Sequence, residues 1–128
     1  YQQLVIVRRM ARDLDLDCEI VGCPTVREKD GLALSSRNAY LSPAERAAAP
    51  AIRAALERGA ALWKSGASVE RIESELKTEL ERVPEGKLDY VRIVDPETLG
   101  APRGPKARVL AALRIGKTRL IDNLPLSR

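Results

Sequence analysis

The segment RVLAALRIGKTRLIDN, residues 108–123, decides the fold of this chain because it predicts two neighbouring β-strands. Arg108 to Ile115 and Thr118 to Asn123 are apolar-rich runs of strand length. Gly116 and Lys117 separate the two runs and suit a two-residue turn of type II′, whose first position needs glycine. The sequence therefore predicts an antiparallel hairpin over these residues.

The same turn resembles the end of a phosphate-binding P-loop, because Gly116, Lys117 and Thr118 match the last residues of that motif. The full motif needs a glycine five residues before Gly116, where this chain has Ala111. It also joins a strand to a helix, whereas strand patterns flank the turn on both sides here. We interpret these residues as a hairpin turn.

Upstream of the hairpin, the sequence predicts a third strand and two helices. Leu88 to Asp95 alternates with the period of a strand. Ser42-Pro43-Ala44-Glu45 forms a capping box, which marks the start of a helix that should reach about Lys64. Pro50 interrupts this helix and predicts a kink or restart just before it. Ser68 caps the next helix. The inward-facing residues of both helices are Ile52, Leu56, Ala60, Trp63, Val69, Ile72, Leu76, Leu80 and Val83.

Residues 42–128 therefore predict an α+β domain, with two helices packed on a small antiparallel sheet. Residues 1–38 follow a different pattern. An amphipathic helix starts directly at Tyr1 without a cap, and Cys18 to Cys23 is a short apolar run that predicts a buried strand. A helix followed at once by a strand is typical of the return half of a βαβ unit. We expect the chain to be a piece of a longer protein.

Cys18 and Cys23 are the only cysteines. A structural zinc site needs about four ligands, and residues five apart on a strand point to opposite faces, which disfavours a disulfide. We predict buried free thiols in a reducing compartment. The alternating aspartates of residues 13–17 resemble a calcium loop, but Cys18 stands where that loop needs glycine, so we predict a solvated helix end.

Composition excludes several kinds of chemistry. The 128 residues include no histidine, so no imidazole can act as a base or metal ligand within this chain. The net charge is +4, and one stretch, residues 100–121, holds six cations and no acidic residue. These cations are Arg103, Lys106, Arg108, Arg114, Lys117 and Arg119. One hypothesis is a basic, non-catalytic module that binds nucleic acid. The stretch has no aromatic residue for base stacking, so ordinary solvation, or a field that attracts a small anion, is favoured.

The long loop from Pro24 to Leu41 has no periodicity, and loops of this length are often functional. It contains Ser35, Ser36 and Arg37. Two hydroxyl groups and a guanidinium suit the oxygens of a triphosphate, because arginine presents a fixed fork of donors and hydroxyl groups can reorient. By itself this short motif also fits a solvated surface turn.

Six short motifs occur in order along the chain: YQQL at 1–4, PTVRE at 24–28, DGLALSSRN at 30–38, YLS at 40–42, LDYV at 88–91 and TRLIDN at 118–123. Together they closely resemble the pantothenate synthetase (pantoate–β-alanine ligase) family of the nucleotidyltransferase superfamily. The resemblance covers only the C-terminal part of such enzymes. It implies that residues 1–38 are the last helix and strand of a Rossmann-like nucleotide-binding domain with its phosphate-contacting loop. Residues 42–128 would be a small lid domain.

The resemblance also implies roles for individual residues. Gln3 matches a glutamine that binds pantoate, and the backbone of Val26 matches a contact to adenine. Leu34, Ser35, Ser36 and Arg37 match the loop that contacts the phosphates of ATP. Ser35 and Arg37 would be the catalytic pair, because they would stabilise charge on the transferring phosphoryl group.

The family's chemistry implies ATP with Mg²⁺ as cofactor, and pantoate and β-alanine as the other substrates. Family members are commonly cytoplasmic homodimers, and neither nucleic acid nor membrane is expected as a partner. The family's H-x-G-H motif has no counterpart here, and the lysine and aspartate that bind phosphate and magnesium would precede Tyr1. We therefore expect the metal ligands to lie outside this chain, and the chain to be inactive alone.

Overall fold

A three-stranded antiparallel sheet forms the centre of the fold. The computed structural model describes residues 1–128, and its strands are β1 (Gly86–Val94), β2 (Lys106–Ile115) and β3 (Thr118–Ser127), in the spatial order β1-β2-β3. Ile115 pairs with Thr118, so the β2–β3 turn has two residues. Gly116 has a φ of +53°, and Lys117 is not in the left-handed region, as a type II′ turn requires. The predicted hairpin is confirmed.

The chain has four α-helices, of which α3 and α4 pack on the sheet: α1 (Gln2–Asp13), α2 (Pro43–Ala48), α3 (Ala51–Lys64) and α4 (Val69–Leu80). Both hydrogen bonds of the capping box at the start of α2 are present: Ser42 Oγ accepts the N–H of Glu45, and the Glu45 carboxylate accepts the N–H of Ser42. At the start of α4, Ser68 Oγ accepts the N–H of Arg71. Pro50 separates α2 from α3, which confirms the predicted restart. The fold is α+β, as the sequence predicts.

The main core lies between α3, α4 and one face of the sheet. The apolar stripes predicted for the two helices supply one side of it, and β2 supplies most of the other. The largest fully buried side chains are Leu32, Ile52, Leu56, Ile72, Leu76, Leu80, Val109, Leu113 and Ile115. Because Leu32 belongs to this core, the long loop is attached to the α+β unit by apolar burial. The predicted division into residues 1–38 and 42–128 stays a prediction.

Two predictions about the first part of the chain are wrong. Residues 18–23 form no strand, because no neighbouring strand in this chain offers them backbone hydrogen bonds. The segment instead lies along α1, where Arg8 Nε donates to Ile20 O over 3.2 Å. Consequently Cys18 and Cys23 are free but exposed, not buried.

Two further details differ from the sequence pattern. β3 extends four residues beyond Asn123 and includes Pro125, which is tolerated because β3 is an edge strand. The apolar stripe of α1, which consists of Leu4, Val7, Ala11 and Leu14, is only partly covered: Ala11 is buried, Leu4 and Val7 are half-buried, and Leu14 is 63% exposed. No helix of the structure is both long enough and apolar enough to cross a membrane.

Candidate functional site

The long loop between Pro24 and Leu41 contains a short hairpin-like structure. Leu34 N donates to Val26 O over 2.9 Å, and Glu28 N donates to Leu32 O over 2.8 Å. Gly31 has a φ of +88°, a left-handed conformation in which glycine avoids the strain of a side chain. The two positions for which an adenine or phosphate contact is predicted, Val26 and Leu34, are therefore held side by side.

The serine–arginine motif forms the turn that follows this hairpin. Ser35 caps a short 3-10 helix, Ser36–Tyr40, because its Oγ accepts the N–H of Arg37 over 3.2 Å. Ser35, Ser36 and Arg37 are exposed, and the guanidinium of Arg37 forms no ion pair. An exposed, unpaired arginine next to two hydroxyl groups can bind an anion without first breaking an ion pair.

Two clefts meet at Arg37. The smaller, of about 280 Å³, is lined by the loop residues Leu34 and Ser35 and by Tyr1 of the N-terminus. The larger, of about 550 Å³, is lined by Arg37 and by cations of the β2–β3 hairpin. Those cations are Arg114, Lys117 and Arg119. Arg119 is partly neutralised by Asp89, whose Oδ2 lies 2.6 Å from its Nε. The surroundings of Arg37 therefore carry positive charge and suit a polyanion.

Ion pairs and hydrogen bonds attach the loop to α2. Arg46 binds the carboxylates of Glu28 and Asp30 over 2.7 and 2.6 Å. Asn38 Nδ2 donates to Glu28 Oε1 over 2.8 Å and to Ala33 O over 3.1 Å. The hydrogen bonds from Arg46 hold the pKa of Glu28 and the pKa of Asp30 below their ordinary values. These contacts connect both ends of the serine–arginine turn to a helix.

A separate ion pair attaches the loop to the sheet. Arg27 makes a bidentate ion pair with Asp122 of β3, with N–O distances of 2.7 and 2.8 Å. The Asp122 side chain is 1% exposed and that of Arg27 is 20% exposed. The hydrogen bond to Asp122 raises the pKa of Arg27. Neither residue has a role predicted from the sequence, because nothing in the local pattern connects positions 95 residues apart.

Gln3, the residue predicted to bind pantoate, lies on the exposed surface of α1 and lines neither cleft that Arg37 lines. Its neighbour Gln2 donates to the Tyr90 hydroxyl over 3.0 Å. The structure thus brings Val26, Leu34, Ser35 and Arg37 together but leaves Gln3 apart from them. No group of three or more Cys, Asp or Glu side chains is arranged to hold a metal ion.

The six cations of residues 100–121 do not form one free basic surface. Arg108 is half-buried: its guanidinium stacks 3.5 Å from the centre of the Tyr1 ring, and its Nη1 donates to Asn123 Oδ1. Arg119 is paired with Asp89. Two of the six cations are therefore engaged within the protein, which weakens the hypothesis of a nucleic-acid-binding module.

Comparison with known proteins decides the family. The model of the family described as pantoate-beta-alanine ligase matches residues 1–125. The chain belongs to the pantoate–β-alanine ligase family. Pantothenate synthetase of Salinispora arenicola is 51% identical over 125 residues, which are 97% of this chain and 44% of that protein. Pantothenate synthetase of Caulobacter vibrioides is 50% identical, over 97% of this chain and 45% of that protein.

Solved structures of this family share the fold. A crystal structure of pantothenate synthetase from Thermus thermophilus matches with a TM-score of 0.90 and 49% identity, over 97% of this chain and 46% of that one. A pantoate–β-alanine ligase from Francisella tularensis, described as complexed with beta-gamma ATP and β-alanine, matches with a TM-score of 0.64 and 27% identity over 40% of its length. The chain therefore spans less than half the length of these ligases.

Proposed function

We propose that this chain is the C-terminal part of an enzyme that condenses pantoate and β-alanine to pantothenate. ATP would activate pantoate as a pantoyl adenylate with release of pyrophosphate, and the amine of β-alanine would then displace AMP. The observation that carries the proposal is the family match over residues 1–125, together with a sequence identity of 51% to a pantothenate synthetase.

The loop geometry supports a nucleotide site. The backbone of Val26 would contact the adenine, and Leu34, whose N–H donates to Val26 O, would begin the loop that contacts the phosphates. Ser35, Ser36 and Arg37 would bind the phosphates. Because the Arg37 guanidinium has no protein partner, its donors are available to stabilise charge that builds on the transferring phosphoryl group. This role is electrostatic and requires no proton transfer from this chain.

Of the remaining parts of the site, only the pantoate contact of Gln3 would come from this chain. Gln3 would bind pantoate from the surface of α1, which is exposed here. The ligands of Mg²⁺ and the H-x-G-H motif that holds the α and β phosphates would lie upstream of Tyr1. The chain alone should therefore be inactive, and the whole enzyme would be a cytoplasmic homodimer.

Pantoate-dependent ATP–pyrophosphate exchange tests the proposal directly. The chain extended upstream to the length of its relatives should catalyse exchange, and the 128-residue chain assayed beside it should not. Exchange by the short chain would contradict its predicted inactivity. Absence of exchange in both, from folded protein, would contradict the adenylate mechanism. A gel shift across salt concentrations would then test the basic-module hypothesis, for which steep salt dependence is expected.

A further inference from the structure

We infer that Arg27 and Asp122 are positioning residues, which hold the Ser35–Arg37 turn in place by fastening its hairpin to the sheet. The inference rests on the proposed function, because it assigns the pair a part in the site where the nucleotide would bind. Neither residue would touch the substrate. Each would act through the backbone that leads to Ser35.

The Arg27–Asp122 ion pair has the geometry of a rigid link between the loop and β3. Both guanidinium nitrogens of the Arg27 fork contact the two oxygens of one carboxylate, which fixes orientation as well as distance. Arg27 Nη1 also donates to Gly31 O over 2.9 Å, so the same group holds the turn of the hairpin. Asp122 is fixed in turn, because the N–H of Asn123 donates to its Oδ1 and β3 is paired with β2 at this position.

A short series of backbone contacts connects the Arg27–Asp122 ion pair to the serine–arginine turn. Arg27 forms an isolated β-bridge with Ala33, directly across the hairpin. The next residue, Leu34, donates its N–H to Val26 O, and Ser35 follows immediately. A shift of Arg27 away from the sheet would therefore carry Leu34 and Ser35 with it.

The choice of residues favours positioning over simple stabilisation. Burying a charged pair is an inefficient way to gain stability, because the desolvation of both groups offsets their attraction. A hydrophobic contact would hold the loop against the sheet without specifying its orientation. A bidentate pair fixes the angle of the loop, and lysine in place of arginine cannot do the same.

Amide hydrogen exchange on the 128-residue chain measures how firmly the ion pair holds the loop, and this measurement does not depend on enzymatic activity. In Asp122→Asn, exchange of the amides of Glu28 and Leu34, which close the hairpin, should quicken at least about tenfold, while Leu113 of β2 should be unaffected. Arg27→Lys should give the same pattern, and it keeps the measurement available if Asp122→Asn does not fold. Leu76→Ala is the matched control, because Leu76 lies on α4, whose main packing partners are α3 and β1, and the substitution leaves the ion pair intact, so the two hairpin amides should be unchanged.

The same substitutions in the extended chain test the consequence for the reaction. Asp122→Asn and Arg27→Lys should lower the maximal rate of ATP–pyrophosphate exchange on the order of 10- to 100-fold, as small misplacements in active sites do. The KM for pantoate should change by less than about twofold, since Gln3 lies elsewhere, and Leu76→Ala should retain the rate at temperatures where it is folded.

Each outcome decides between the alternatives. Hairpin amides that exchange at the original rate would show that the pair does not hold the loop, and the inference would fail. Faster amide exchange with an unchanged reaction rate would overturn it too, by showing a purely structural pair. If the unsubstituted extended chain shows no ATP–pyrophosphate exchange, the proposed function fails, whereas the amide measurement still decides whether the pair orders the loop.

Discussion

Substitution of Gly116, in the turn between β2 and β3, should have an effect that reaches beyond that turn. Gly116 has a φ of +53°, and a Cβ added there would overlap the Glu45 carboxylate. That carboxylate accepts the backbone N–H of Ser42 over 2.7 Å and so completes the capping box of α2. Gly116→Ala would therefore strain the turn and also displace the cap of the helix that follows the serine–arginine turn.

The two effects can be given separate magnitudes. A left-handed conformation costs an alanine about 1–2 kcal/mol. Loss of the capping hydrogen bond adds roughly 0.5–1 kcal/mol, the lower part of the usual range, because this bond is exposed to water. Gly116→Ala should therefore lower the free energy of unfolding by about 1.5–3 kcal/mol. For a chain of this size, that corresponds to a fall in Tm of roughly 10 °C.

Urea unfolding followed by the fluorescence of Trp63 measures this loss, because Trp63 is the only tryptophan and is buried in the core. Gly66→Ala is the matched control: Gly66 has a φ of +87°, but no atom lies near its added Cβ, so only the backbone strain applies.

Equal losses in Gly116→Ala and Gly66→Ala would refute the argument about Glu45. A loss below about 0.5 kcal/mol in Gly116→Ala would refute both parts, since that is within the range of ordinary surface substitutions. In a Glu45→Ala background, the additional cost of Gly116→Ala over Gly66→Ala should disappear.

Three more predictions concern the loop and the segment that leads to it. Arg37→Ala in the extended chain should slow ATP–pyrophosphate exchange on the order of 100-fold or more, as loss of a preorganised donor does, and an unchanged rate would remove Arg37 from the site. Glu28 and Asp30 have pKa values held below their ordinary 4.5 and 3.8, so the stability that they contribute is complete above those values and is lost as pH falls through the depressed ones. An NMR titration of the loop amides should therefore show the loop loosening only below pH 4.5, the ordinary pKa of Glu28; a midpoint at or above that pH would contradict the ion pairs. Cys18 and Cys23 are exposed, so both should react with a thiol reagent in the folded chain, and reaction only in urea would show that they are buried.

Predictions that rested on neighbouring residues were mostly confirmed. The capping box at Ser42, the restart at Pro50 and the turn at Gly116 each depend on groups within a few residues of one another. Such signals are complete in the sequence, because the backbone donors and the permitted dihedral angles are local.

The predicted strand over residues 18–23 shows the opposite case. An apolar run can supply one strand, but a strand forms only where a second one pairs with it, and this chain offers none beside that segment. The burial of Cys18 and Cys23 was inferred from the same strand, so both predictions were wrong together.

The sequence by itself determined the α+β architecture, through local caps, turns and hydrophobic periods, and the family, through six motifs in order. It also pointed to Ser35 and Arg37 as candidates for a phosphate site. Only the tertiary structure decided how that turn is held: Arg27 meets Asp122 across 95 residues, and Glu28 meets Arg46 of α2. The physical reason is that an ion pair depends on distance in space, and residues far apart in sequence come together only after the sheet and helices have packed.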